Sequence, residues 1–129
     1  MKCFKSRQNL IISILGIICL IPIIANAQPI KTTIAEILSN PDTFDSKMVS
    51  VEGKVLALQE KISSKGNAYA TFKLFRENKI IRIFSFGKPS VKDGDFVKVI
   101  GRYQKMKHSG QFTFYNEIET SDGTVEAIK

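Results

Sequence analysis

The chain has 129 residues, of which 43% are hydrophobic and 24% are charged, and its formal net charge at pH 7 is +7. This composition excludes a collagen-like chain and a fully disordered one, and the length suits about one domain. The sequence has no βαβ alternation, glycine-rich phosphate loop or pair of zinc ligands, which excludes the common nucleotide-binding sheets and zinc folds.

The first 27 residues have the three parts of a secretory signal peptide. Three cations, Lys2, Lys5 and Arg7, precede an uncharged apolar run at Leu10–Ala27, which ends in the small-residue sequence Ala25-Asn26-Ala27. A basic start, an apolar centre and an A-x-A end are typical of a leader that is removed on export. We therefore predict a signal peptide over residues 1–27, cleavage after Ala27, and a mature protein that is periplasmic or secreted.

Two other fates of this segment stay open. One is an uncleaved membrane anchor, because 18 apolar residues lie at the short edge of what spans a bilayer. Pro22 and the small residues after it favour cleavage over a continuing helix. The other is a lipid anchor at Cys19, which Ile17 and Ile18 disfavour because a lipidation site needs small residues there.

Cleavage after Ala27 would leave 102 residues with a modest positive charge. It would remove three of the 19 Lys and Arg residues and none of the 12 acids, so the mature net charge would be +4. Both cysteines, Cys3 and Cys19, would leave with the leader, which excludes disulfides, thiol chemistry and zinc–thiolate sites. We expect no stable membrane insertion after cleavage, and about a hundred residues can bury a core without disulfides.

Residues 28–47 are predicted to hold one short helix and a linker. Thr33-Ile34-Ala35-Glu36 is a capping box, in which the Thr hydroxyl and the Glu carboxylate satisfy free backbone N–H groups at a helix start. Ile34, Ile37 and Leu38 follow at helical spacing. Asn40-Pro41 ends the helix, because proline disfavours a helical residue before it.

Alternation of apolar and polar residues with a period of two predicts five strands between residues 48 and 119. The first strand starts at Met48, and the others are Ala68–Arg76, Lys79–Phe86, Phe96–Tyr103 and Gln111–Glu119. On the last strand Phe112, Phe114 and Ile118 fall in phase, which predicts that they share one face. Residues 104–110 are predicted as a loop, and residues 120–129 as a tail or short edge strand. Five closely spaced strands in so short a chain predict an all-β fold, a small barrel over residues 48–119.

The fourth strand contains the motif Gly94-Asp95-Phe96-Val97-Lys98-Val99-Ile100-Gly101, and the first contains Val51-Glu52-Gly53-Lys54-Val55. These motifs, of which the fourth-strand motif is the most telling, resemble an OB-fold of the anticodon-binding type, as in the amino-terminal domain of the exodeoxyribonuclease large subunit. Further matches are Gly66, Tyr69, Phe72, Lys73 and Leu74 around the second strand, the third strand at 81–87, Gly110, and Asn116-Glu117-Ile118 in the fifth. The resemblance runs from about Val49 to Glu119 and implies a five-stranded OB-fold barrel that binds nucleic acid.

Two features depart from that family. Many OB barrels carry a helix between the third and fourth strands, and the segment 87–95 is too short and broken for one. We expect the helix near Thr33–Ser39 to close the end of the barrel instead. The predicted leader is the second departure, because most nucleic-acid-binding OB domains act in the cytoplasm.

The resemblance and the strand phase together predict a binding surface. OB barrels bind ligands on the outer face of the second and third strands, flanked by two loops. Arg82 does not fit inside a small barrel, which places Phe84 and Phe86 outside with it. The predicted nucleic-acid-binding residues are Tyr69, Lys73, Phe75, Arg82, Phe84 and Phe86 on the strands, with Lys61, Lys65, Lys105 and Lys107 in the loops. Rings that stack on bases, interleaved with cations that contact phosphates, are typical of single-stranded DNA or RNA binding.

Other interpretations of this surface stay open. The amino-terminal helix would hide Phe75, Phe84 and Phe86 if it packed over them. The groove of an exported module would suit an envelope protein, a peptide or an oligosaccharide. His108, the lone histidine, also invites comparison with periplasmic haem chaperones, which use an OB barrel with an exposed histidine, although Phe112 stands where their tyrosine would be.

No enzyme, metal or cofactor is predicted. His108 has no evident nucleophile or orienting acid beside it in the sequence. The two closest carboxylate pairs are Asp93 with Asp95 and Glu117 with Glu119, and neither is accompanied by a histidine or a third acid. We therefore expect a protein that binds and does not catalyse.

Overall fold

Six strands form one sheet that closes on itself in the computed structural model, which describes residues 28–128. The strands are β1 (Ile30–Lys31), β2 (Met48–Ile62), β3 (Ala68–Arg76), β4 (Lys79–Phe86), β5 (Phe96–Ser109) and β6 (Phe112–Ala127). Two short helices, α1 (Ile34–Ser39) and α2 (Pro41–Phe44), connect β1 to β2. The predicted signal peptide lies outside the described residues.

The strand order β1-β2-β3-β4-β6-β5, with β2 also paired to β5, makes a closed barrel of five strands. Neighbouring strands of the barrel are antiparallel except β4 and β6, which run parallel and pair Arg82 with Glu117 and Ile83 with Ile118. β1 is also parallel to its neighbour, β2. The two-residue strand β1 adds to the outside of β2, opposite Val49 and Ser50. The predicted all-β barrel of five strands is thus confirmed. β1 was not predicted, because two residues are too few to show an alternating pattern.

The core is built from the inward residues of each strand and from one side of α1. The buried apolar side chains are Val49, Val51, Val55, Phe72, Leu74, Ile81, Ile83, Val97, Val99, Tyr103 and Ile118, joined by Ile34 and Ile37. The Thr33 side chain accepts a hydrogen bond of 3.1 Å from the Glu36 N–H, as a capping residue does. Because Ile34 and Ile37 enter the same core as the strand residues, α1 packs into the barrel.

Both β5 and β6 are longer than predicted. β5 continues through the predicted loop to Ser109, where it pairs with Phe112 across a tight turn. β6 continues through most of the predicted tail, and Val97 pairs with Ala127. The side chains of these extensions are mostly exposed, so they lack the apolar–polar alternation that marks a half-buried strand.

The last strand changes phase at Asn116, which corrects the prediction that Phe112, Phe114 and Ile118 share a face. Ile118 is buried in the barrel, whereas Phe112 is exposed on the outside. Asn116 has a φ of 55°, in the left-handed region, and the next two residues, Glu117 and Ile118, are both buried. The Asn116 side-chain oxygen accepts a hydrogen bond from the buried Tyr103 hydroxyl. That burial, with the charges of Asp45 and Asp42, raises the pKa of Tyr103.

Gly123 tests whether residues beyond Thr120 belong to the barrel. A Cβ at this position would overlap the carbonyl oxygen of Ile100 on β5. We expect Gly123→Ala to lower the free energy of unfolding by about 1–3 kcal/mol, because the two strands would have to separate. The neighbouring exposed Thr124→Ala should change it by less than about 0.5 kcal/mol. Chemical denaturation measures both, and equal stability of the two variants would contradict the close approach of β5 and β6.

Candidate functional site

An open groove of about 680 Å³ crosses the outer surface of β3 and β4. It lies between the β2–β3 loop on one side and the β5–β6 hairpin on the other. Its lining residues are Lys61, Ser63, Ser64, Asn67, Ala68, Tyr69, Arg82, Phe84, Phe86, Lys107, Ser109, Phe112, Phe114 and Glu117. Among these, uncharged polar side chains come mainly from the loop, whereas rings and charges come from the strands.

Five aromatic rings line this groove. Tyr69 and Phe84 stack with their ring centroids 5.3 Å apart and an angle of 17° between the ring planes. Phe86 meets Phe84 edge to face at 4.9 Å. The rings lie outside the barrel because Ile81 and Ile83 on β4 point inward. Phe86 is 55% exposed and Phe112 is 60% exposed, so the groove presents uncovered aromatic surface. Exposed apolar surface of this kind makes the groove a candidate binding site.

The floor of the groove contains a buried carboxylate held by two cations. Glu117 is only 1% exposed, and its Oε2 accepts a hydrogen bond of 2.7 Å from the Arg82 Nε. Its Oε1 accepts a second of 2.9 Å from the Lys107 Nζ. A buried charge needs such partners, because desolvation of an unpaired carboxylate costs several kcal/mol. The three charged groups therefore join β4, β5 and β6 at one point.

The same two cations lie against the aromatic rings. The Lys107 Nζ is 4.4 Å from the centroid of the Phe84 ring, and the Arg82 Cζ is 4.7 Å from that of Phe114. Both distances are within the range of cation–π attraction. Cations and rings thus alternate along the groove, and the β5–β6 hairpin is held against the outer face of β4 by these contacts.

The predicted residues do not all meet at this groove. Six line it: Lys61, Tyr69, Arg82, Phe84, Phe86 and Lys107. Lys73 pairs directly with Arg82 across β3 and β4 and is exposed just beyond the groove. Phe75 lies farther along β3, where it pairs with Ile80, and Lys65 lies in the β2–β3 turn without lining the groove.

Lys105 was predicted beside the ligand and instead faces α2. Its Nζ forms an ion pair of 2.7 Å with Asp42, and its backbone N–H donates to the Asp45 carboxylate at 2.9 Å. The hydrogen bond from Lys105 to Asp42 raises the pKa of Lys105. Because α2 is short and polar, the sequence carries no signal that its acids reach a strand about 60 residues away.

Sequence analysis also missed eight of the 14 lining residues, among them the rings of Phe112 and Phe114 and the buried Glu117. Regular alternation assigned both rings to the side of Ile118, and the phase change at Asn116 reverses that assignment. Asn is the residue that, after Gly, most readily adopts a positive φ, so an Asn inside an otherwise regular strand was the available signal. Glu117 gave none, because an acid on a strand is normally exposed.

The amino-terminal helix does not cover the groove, which contradicts the alternative in which it packs over the aromatic face. Within residues 28–128, no lining residue of the groove belongs to α1 or α2. The apolar side of α1 instead packs into the barrel core through Ile34 and Ile37. In the described part of the chain, α1 and α2 therefore leave the outer rings uncovered.

His108 lies near the tip of the β5–β6 hairpin and is exposed. Its Nδ1 is 3.0 Å from the Thr113 hydroxyl. It is not among the lining residues of the groove. In the described range, no group of three His, Cys, Asp or Glu side chains is placed to hold a metal ion. The helices found between residues 28 and 128 are also too short to cross a membrane.

The comparisons with known proteins bear on the fold. No protein-family model matches the chain, and no curated protein matches it. Among solved structures, the chain is similar to the OB domain of a protein from Thermoplasma acidophilum, determined by solution NMR. The identity is 22%, the TM-score is 0.50, and the similarity covers 77% of this chain and 87% of that domain. This similarity and the closed five-stranded barrel show that the chain has an OB-fold.

Removal of the buried charge tests the electrostatic floor of the groove. Glu117→Gln leaves Arg82 and Lys107 facing each other without a carboxylate between them. We expect a loss of about 1–3 kcal/mol in the free energy of unfolding, which is less than for a fully buried pair because both cations are partly solvated. Glu119→Gln is the matched control, since Glu119 is only half-buried and has no ion pair among the described residues. Denaturation curves compare the two, and similar losses would show that Glu117 is not specially stabilised.

Proposed function

We propose that this protein is an exported OB-fold protein that binds single-stranded DNA or RNA in the groove on β3 and β4 and does not catalyse a reaction. One observation carries the proposal: exposed aromatic rings alternate with cations along one open groove. The resemblance of the strand motifs to the anticodon-binding type of OB-fold supports the same ligand class.

Stacking is the first part of the recognition. Phe86 and Phe112 are more than half exposed and both line the groove, and Phe86 packs edge to face against Phe84 of the Tyr69–Phe84 stack. A nucleobase that stacks on such a ring contributes about 1–3 kcal/mol. Only an unpaired base exposes its face to a side chain, which favours a single strand over a duplex.

Charge is the second part. The groove lining holds three cations, Lys61, Arg82 and Lys107, and one carboxylate, Glu117, which leaves a net charge of +2. With so few uncompensated cations, the protein should contact only a few phosphates. We therefore expect modest affinity that weakens as salt rises, with a log–log slope of about −0.7 for each neutralised phosphate of a single strand.

A second candidate is an oligosaccharide, peptide or protein of the cell envelope. The observation that favours it is the uncharged rim of the groove, where Ser63, Ser64, Asn67 and Ser109 supply hydrogen-bonding groups. The proposed export also places the protein where free nucleic acid is scarce. Phosphate contacts would contribute little to the affinity for such a ligand, so its binding would persist at high salt.

Oligonucleotide titration tests the proposed ligand. A fluorescent strand of about 12 nucleotides should bind the wild-type protein and lose affinity with salt. Phe112→Ala and Phe86→Ala should each weaken binding by roughly 5- to 150-fold, the equivalent of about 1–3 kcal/mol of stacking.

The control variant is Tyr115→Ala. Tyr115 is 64% exposed on the same hairpin but does not line the groove, so its loss should leave the affinity unchanged. The strand should also be recovered intact after incubation with Mg²⁺, as expected of a protein that only binds. An absence of binding at low salt, or a Tyr115→Ala effect as large as that of Phe112→Ala, would refute the proposal.

Export is tested separately. When the full chain is expressed with an active secretion system, intact mass and amino-terminal sequencing of the exported protein should place Gln28 first. A protein that keeps residues 1–27 and fractionates with membranes would instead support the anchor. An unprocessed protein in the cytoplasmic fraction would refute export altogether.

A further inference from the structure

We infer that Arg82 recognises one phosphate of the bound strand through its two terminal nitrogens, and that Glu117 is the positioning residue that aims the guanidinium. This inference rests on the proposed function. It also gives a role to Glu117, the one acid among the residues that line the groove. The predicted recognition is directional, through paired hydrogen bonds from a fixed group.

The geometry around Arg82 fixes the guanidinium plane. Its Nε is hydrogen-bonded to Glu117 at 2.7 Å, and its Cζ lies 4.7 Å from the centroid of the Phe114 ring. Glu117 is itself immobilised by burial and by Lys107. A carboxylate at one edge and a ring against one face restrict how the guanidinium can rotate, so it is organised before a ligand arrives.

The terminal nitrogens of Arg82 are the part left to bind a ligand. A guanidinium has five N–H donors, and Glu117 is the one hydrogen-bonded partner of the Arg82 side chain among residues 28–128. The side chain is 37% exposed, and Arg82 lines the groove. Two parallel N–H groups match the oxygens of a phosphate, and such paired, charge-assisted bonds are about twice as strong as neutral ones.

The charges around the terminal nitrogens of Arg82 favour an anion as their ligand. Lys73 stands directly opposite Arg82 on the neighbouring strand, exposed and without an ion pair in the described range. Like charges directly opposite on a sheet destabilise it. Arg82 thus faces a second cation, Lys73, and shares its one carboxylate with Lys107, so a bound phosphate would relieve the repulsion between these cations.

The spacing suits a nucleotide. Arg82 and Phe84 are two residues apart on one face of β4, which separates them by about 7 Å. One nucleotide spans a comparable distance between its phosphate and its base. A phosphate on Arg82 therefore leaves the adjoining base near the Tyr69–Phe84 stack and the exposed Phe86.

The experiment separates geometry from charge. Binding of the labelled single strand is measured at several salt concentrations for the wild type, Arg82→Lys, Glu117→Gln, the double variant and the control Arg76→Lys. Arg82→Lys keeps the charge but loses the paired donors, so affinity should fall about tenfold while the salt slope stays the same. Glu117→Gln removes the charge that holds the guanidinium, so Arg82→Lys should cost less than about threefold in affinity in the Glu117→Gln background. A merely structural role of Glu117 would not produce this coupling. Arg76→Lys should match the wild type, because Arg76 pairs with Glu52 and does not line the groove.

Each outcome decides the matter. Wild-type affinity in Arg82→Lys overturns the paired recognition, and this variant stays informative if Glu117→Gln fails to fold. If Arg82→Lys costs as much affinity in a folded Glu117→Gln background as in the wild type, the positioning role is overturned. If the wild type binds the strand and the variants behave otherwise than expected, the inference fails while the proposed function stands. If the wild type does not bind at about 20 mM salt, both fail together.

Discussion

The outer face of this barrel depends on one buried carboxylate. Glu117 on β6 is almost fully removed from water and is compensated by Arg82 on β4 and Lys107 on β5. Since an unpaired buried charge is costly, each of these side chains constrains the positions of the others. The two cations then contact Phe114 and Phe84, so the positions of the rings follow from the same charge.

This arrangement gives the groove both an apolar and an ionic character without placing either in the core. The barrel interior is filled by aliphatic side chains, Phe72 and Tyr103, and its end receives α1. The aromatic rings that line the groove therefore lie outside the barrel, on the face where the β5–β6 hairpin packs against β4. A fold hosts many functions, so the OB architecture by itself does not identify the ligand. The ligand class is inferred from the residues that line the groove.

The success and failure of sequence reasoning can be traced to particular residues. Arg82 was placed outside because a guanidinium does not fit in a small barrel, and strict alternation then placed Phe84 and Phe86 correctly beside it. The same alternation failed on β6, where one residue with positive φ, Asn116, moved Phe112 and Phe114 into the groove. Lys105 was misplaced because its partners, Asp42 and Asp45, lie in and just after a helix of four residues that periodicity cannot detect.

Local patterns in the sequence were enough to determine the all-β barrel, the capped helix before it and the outward face of β4. Each of these follows from side-chain periodicity or from a cap, which act between residues close together in the chain. Tertiary structure alone decided which cations share the groove, which side of β6 holds its phenylalanines, and that Glu117 is buried between Arg82 and Lys107. Those outcomes depend on contacts between strands distant in sequence and on a single change of backbone conformation, and neither leaves a periodic trace.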